Sequence, residues 1–80
     1  VAISRALEEA RRRAAAGDRD PRDLAAGITR AVLAAGMRVD YAELVHPETL
    51  RPVLRAEPGT RALVAAFLGR TRLIDNVALP

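Results

Sequence analysis

Cysteine, lysine and tryptophan are missing from this 80-residue chain, and Tyr41 and Phe67 are its only aromatic residues. Without cysteine, neither a disulfide nor a thiolate metal site can form within it, which fits a reducing compartment. Without lysine, Schiff-base and lysine general-base chemistry are excluded from these residues. No apolar run approaches the ~20 residues of a membrane helix. The first residues also lack a basic stretch followed by an apolar one. These absences set the expectation of a soluble, cytoplasmic protein.

What is present is mostly alanine, arginine and small aliphatics. Half of the chain is hydrophobic, yet 17 of those 40 residues are Ala. The larger apolar side chains, mainly Leu and Val, suffice for one thin core between helices and a sheet. They cannot also enclose a deep active site. All thirteen basic residues are arginine and ten acids are interspersed among them, for a net charge of +3. That pattern fits biased coding composition. Nucleic-acid binding calls for a concentrated basic stripe and stacking aromatics, and neither is present.

The periodicities predict two helices followed by strands. In "VAISRALEEARRRAAAG" the residues Ile3, Leu7, Ala10 and Ala14 make one apolar stripe. Glu8–Arg12 and Glu9–Arg13 have the spacing of i,i+4 ion pairs, and Gly17 suits a left-handed C-terminal cap. A second helix starts at Asp20 (N-cap), Pro21 and Asp23, carries the stripe Leu24, Ile28, Ala31 and Ala35, and ends at Gly36. Leu33 points away from that stripe, toward a second surface. After Gly36 the period drops to two in "MRVDYAELV", as in a strand. "HPETLRP" and "AEPGT" read as turns. The Ala and Leu content of "RALVAAFLG" favours helix, yet the span between Gly59 and Gly69 is short for one. It suits a strand apolar on both faces, and that is the reading taken. "TRLIDNVAL" then reads as a third strand, joined to it near Gly69-Arg70. The fold class expected is α+β, with two N-terminal helices on one face of a three-stranded antiparallel sheet.

Candidate chemical groups are sparse. His46 is the only histidine, so a metal cluster around it would have to be built from carboxylates, and a structural or exposed role is the expectation. Arg11, Arg12 and Arg13 spread over about 200° of helix and cannot form one narrow phosphate-reading edge. In a regular strand Asp40 and Glu43 face opposite sides, which rules out a paired acid and base; the same parity separates Arg72 from Asp75. No Gly-rich phosphate loop, nucleophile elbow or His-x-x-x-His pair occurs.

The ordered segments "DYAEL", "PETL" and "TRLIDN", within "VDYAELVHPETLRPV" and "RALVAAFLGRTRLIDNV", resemble the C-terminal domain of the pantothenate synthetase (pantoate–β-alanine ligase) family. The opening "AISRALEEAR" fits that domain's helical start, so the resemblance spans essentially the whole chain. Two positions depart from the pattern: His46 stands where the family often has Asp, and Phe67 where a polar residue is common.

The resemblance implies that residues 1–80 are one lid domain of an ATP-dependent, AMP-forming ligase. That enzyme joins pantoate to β-alanine through a pantoyl adenylate. Its catalytic residues lie on an N-terminal Rossmann-like domain, in a His-x-Gly-His type motif and a Ser-Ser-Arg-Asn segment, neither of which occurs here. Ser4-Arg5 matches the helix after that segment, so no catalytic, cofactor-binding or metal residue is carried over. The implied partners are the N-terminal catalytic domain, the two substrates and ATP with Mg as substrate, in a homodimeric parent enzyme. No membrane or nucleic-acid partner is implied. The chain alone is expected to bind no cofactor and to be inactive. Arg72 and Asp75 are expected to hold the sheet together. The competing readings are a stand-alone arginine-rich interaction or nucleic-acid-binding module, and a module that dimerises through an edge strand.

Overall fold

The structure, a computed structural model, describes residues 2–80. Helix α1 (Ala2–Ala15) and helix α2 (Pro21–Ala34) are followed by strands β1 (Arg38–Val45), β2 (Arg61–Leu68) and β3 (Thr71–Ala78). The strands form one antiparallel sheet in the order β1-β2-β3. Both helices cover one face, and the 17 Å short axis has room for just these two layers. The expected α+β architecture is the one observed.

Both helices end on the same device. In α1 the Gly17 N–H reaches the Ala14 carbonyl and the Asp18 N–H reaches Arg13, with Gly17 at φ +113°. In α2, Gly36 (φ +82°) bonds back to Leu33, and Met37 bonds back to Val32. These are Schellman motifs, in which a residue without Cβ takes the left-handed position and satisfies carbonyls the helix leaves over. The second motif turns Met37 into the core beside Val32, so the helix stop also anchors the path into β1. At the other end of α2, Asp20 accepts from the Arg22 N–H and Pro21 occupies the first turn, as the sequence predicts.

Two helical expectations need correction. The buried stripe of α2 is Leu24, Ile28 and Val32, while Ala31 and Ala35 are exposed. Strict four-residue steps carry the larger side chains to the sheet, and the two alanines lean off it. On α1 the ion pairs form at i,i+3, Glu8 with Arg11 and Glu9 with Arg12. Arg13 is drawn across to Asp18 and Asp23 and is unavailable to Glu9.

Residues Ala62, Val64 and Ala66 of β2 form the floor of the core under Ile3, Leu7, Ala10 and Ala14 of α1 and the α2 stripe. Alanines on both layers let helix and sheet backbones approach closely, so burial in this core rests on proximity more than on side-chain bulk. β2 and β3 are joined by the two-residue turn Gly69-Arg70, with Gly69 at φ +61° in its first position, the type II′ pattern that matches strand twist. The 46–60 connection also contributes. Val45 bridges Pro52 and the Val53 N–H reaches Leu44, so β1 is partly covered on its outer side. Pro58 and Gly59 (φ +92°) form a tight turn closed by the Thr60 N–H on Glu57, in the geometry of a type II turn.

Candidate functional site

The register of β1 against β2 slips between Val39 and Tyr41, leaving Asp40 as the extra residue of a β-bulge. Val39, Ala42 and Leu44 pack toward the helices. Tyr41 and Glu43 alternate with Ala42 and Leu44 and point to the open face. Asp40 also turns to that face, where its carboxylate accepts two hydrogen bonds from Arg72, at 3.1 and 3.0 Å. The expectation that Asp40 and Glu43 face opposite sides is therefore wrong, because the bulge adds a residue and breaks the alternation. They still make no acid–base pair, since Asp40 is occupied by a guanidinium.

The rest of the open face is dressed by arginine in the same way. Arg72 also lies 5.9 Å from the Tyr41 ring centre, and Arg38 lies 4.4 Å from that of Phe67. Arg61 donates to the Asn76 side chain. Each aromatic ring therefore has a cation over it already, which is the arrangement that keeps an uncovered sheet face compatible with water. Arg72 and Asp75 do separate by parity as expected. Arg72 faces outward, and Asp75 opposes Val64 on the helix side of the sheet.

A second polar cluster clasps the two helices. Arg13 on α1 binds Asp18 at 2.9 Å in the turn and Asp23 at 3.2 Å on α2. Burial opposes ionisation of Asp18. The Asp20 backbone N–H, the Asp23 side chain and the Arg13 charge outweigh it, and the Asp18 pKa lies below its ordinary value. Asp23 shares a hydrogen bond with Asp18 and is repelled by its charge, so its pKa lies above. The group is a structural latch in which one carboxylate gives up its proton before its neighbour.

His46 is held as a turn element. Its Nδ1 accepts the Glu48 N–H at 3.1 Å and the Thr49 N–H at 3.4 Å, which fixes the proton of the neutral ring on Nε2. Among the described residues, no group of three or more His, Asp or Glu is placed to hold a metal ion. A concavity of about 750 Å³ lies between the α1–α2 turn and residues 53–55. It is lined by Asp18, Arg19, Asp20, Arg22 and Arg55 but brings no nucleophile or histidine to them. Arg19 there is committed to the Ala56 and Pro80 carbonyls, tying the helical hairpin to the chain end. Ser4 and Arg5 are exposed on the first turns of α1. Leu33 is exposed on α2, away from the buried stripe, as expected.

The chain as a whole is similar to known proteins. A family model described as pantoate-beta-alanine ligase matches residues 1–78. Pantothenate synthetase from Anaeromyxobacter dehalogenans is 61% identical over 80 residues, which are 100% of this chain and 28% of that protein. The Myxococcus xanthus pantothenate synthetase is 47% identical over 99% of this chain and 28% of its own length. The crystal structure of pantothenate synthetase from Thermus thermophilus superposes with a TM-score of 0.88 at 34% identity, over 99% of this chain and 29% of that one. The chain thus spans under a third of the length of the relatives it matches. With the match running through both helices and all three strands, the chain belongs to the pantoate–beta-alanine ligase family.

Proposed function

We propose that this chain is the C-terminal lid domain of an ATP-dependent, AMP-forming ligase that condenses pantoate with β-alanine through a pantoyl adenylate. The observation that carries the reading is the whole-chain match at 61% identity to a pantothenate synthetase more than three times as long. The family resemblance of "DYAEL", "PETL" and "TRLIDN" supports the C-terminal placement. On this reading ATP, with Mg, is a substrate of the whole enzyme and binds mainly to an N-terminal catalytic domain. The parent is a cytoplasmic homodimer, and residues 1–80 contribute no catalytic group. A lid needs a stiff body and one face complementary to its partner, and its closure keeps water from a hydrolysable adenylate. The Schellman stops, the Arg13 latch and the Arg19 tie supply that stiffness.

The test is an assay for pantothenate and AMP from ATP, pantoate and β-alanine. The whole gene product carrying this chain is expected to turn over, and the purified 80-residue chain is expected to give no product above background. Turnover by the 80 residues alone would refute the assignment of catalysis to another domain.

A further inference from the structure

At the β2–β3 turn end of the molecule, a groove of about 510 Å³ opens between the start of α1, the end of α2 and the hairpin. Ile3 and Met37 form its apolar base, and Leu68 and Leu73, on the same face of the hairpin as Ala66, rise along its side. Those last two are 55% and 38% exposed, although both stand over the edge of the core, and they belong to the six large hydrophobic residues left exposed among the described residues. Leu50 and Leu54, by contrast, stand singly on the 46–60 connection, where isolated exposure needs no explanation. A contiguous apolar wall beside a concavity does need one. The groove also holds a charged group, Asp75. One carboxylate oxygen accepts the Asn76 N–H at 2.8 Å, and among the described residues the other has no partner.

The opposite end of the molecule, around Gly17–Arg22 and Arg55, is polar and knitted by ion pairs and carbonyl contacts. The two ends therefore differ in kind, and Ala2 itself lines the apolar one. With the chain placed at the C-terminal end of a protein more than three times as long, the polypeptide ahead of it arrives at this groove.

We infer that the Leu68–Leu73 wall and the Met37–Ile3 base form the surface on which the preceding part of the longer protein docks, burying apolar side chains in the groove and giving one hydrogen-bond donor to Asp75. This rests on the chain being the C-terminal domain of such a protein, and it specifies which surface meets the rest. The covered sheet–helix end is then the fixed side of the lid. The arginine-dressed open face and the Gly17–Arg55 end stay in solvent.

The chain has no cysteine, so single reporters can be placed in it. In the whole gene product, with cysteines elsewhere replaced, Leu68→Cys and Leu73→Cys are labelled with a maleimide beside Leu54→Cys as the fully exposed reference. The two groove positions are expected to react about tenfold or more slowly than the reference, as sites that need local opening do. Rates within about threefold of the reference overturn the inference. Protection that disappears on dilution would identify a second copy as the occupant and would also overturn it. Pantothenate formation is measured on the same preparations. Protection without turnover removes the ligase reading and leaves the docking surface, whereas turnover with fast labelling removes the docking surface alone.

Discussion

At position 46 an imidazole nitrogen accepts backbone N–H groups at the start of a turn, a task that aspartate, asparagine and serine perform in most proteins. That equivalence accounts for the departure from the family pattern, in which Asp often precedes Pro-Glu-Thr-Leu. Either side chain offers an acceptor at the same reach, so the substitution preserves the turn. The turn itself was readable from His-Pro, because proline forces the preceding residue out of the helical region. The capping role was not readable, since it depends on which ring nitrogen faces the two amides. His46→Ala is expected to destabilise the chain by about 1 kcal/mol, the usual cost of a lost cap. His46→Asp should be neutral within about 0.5 kcal/mol. Urea unfolding followed by circular dichroism measures both, and an equal loss in the two variants would mean that the imidazole acts by packing.

Strand β3 is tied to β1, two strands away, by Arg72 reaching over β2 to Asp40. Most elements are legible from a local signature: four-residue apolar steps and a following glycine for the helices, and alternation for β1. Strand β2, apolar on both faces, is told from a helix only by the short span between Gly59 and Gly69. The bulge that makes this tie possible is not legible. It lies among Val39, Asp40 and Tyr41, where no glycine or proline marks it, and it inverts the side on which Asp40 was expected. The α2 stripe differs from the one its spacing predicts for a related reason. Ala31 and Ala35 fit helical spacing as well as Val32 does, and only packing on the sheet chooses between them. Both partners of the Arg72–Asp40 pair are about two-fifths exposed, so the pair is worth no more than about 1 kcal/mol. Arg72→Glu turns the attraction into repulsion and strips the cation from Tyr41. A loss of about 1 kcal/mol corresponds to roughly 4–8 °C in melting temperature for a domain of this size. Asp40→Arg combined with Arg72→Glu should recover at least about half of that loss. A single variant that melts like the parent would show that Arg72 is free to serve a ligand.

For the whole molecule, the arginines decide between a lid and an independent nucleic-acid module. Arg11, Arg12, Arg13, Arg55 and Arg72 are held in ion pairs, Arg19 is spent on carbonyls, and Arg38 lies over Phe67. Arg5, Arg22, Arg30, Arg51 and Arg70, outside the ion pairs formed among the described residues, fall on both helices, the 46–52 turn and the hairpin tip. They make no continuous track for a phosphate backbone, and both aromatic rings that could stack a base have a guanidinium over them already. The composition alone could suggest this, through interspersed acids, but only the fold shows how the cations are distributed. The candidate site stayed illegible in sequence for the same reason. Leu68, Leu73, Met37 and Ile3 come from four separate segments, and the hairpin and the second Schellman turn bring them to one groove. Fluorescence anisotropy with labelled single-stranded and duplex oligonucleotides at about 150 mM salt is therefore expected to show no saturation up to roughly 100 µM chain, beyond the weak attraction any net-positive protein has for phosphate. A dissociation constant near 1 µM that weakens steeply with added salt would instead require several arginines to act together on phosphates. The ion pairs on the open face would then have to open to release them, so Asp40→Asn should tighten that binding. With the pairs intact and the cations dispersed, Asp40→Asn should leave the anisotropy unchanged.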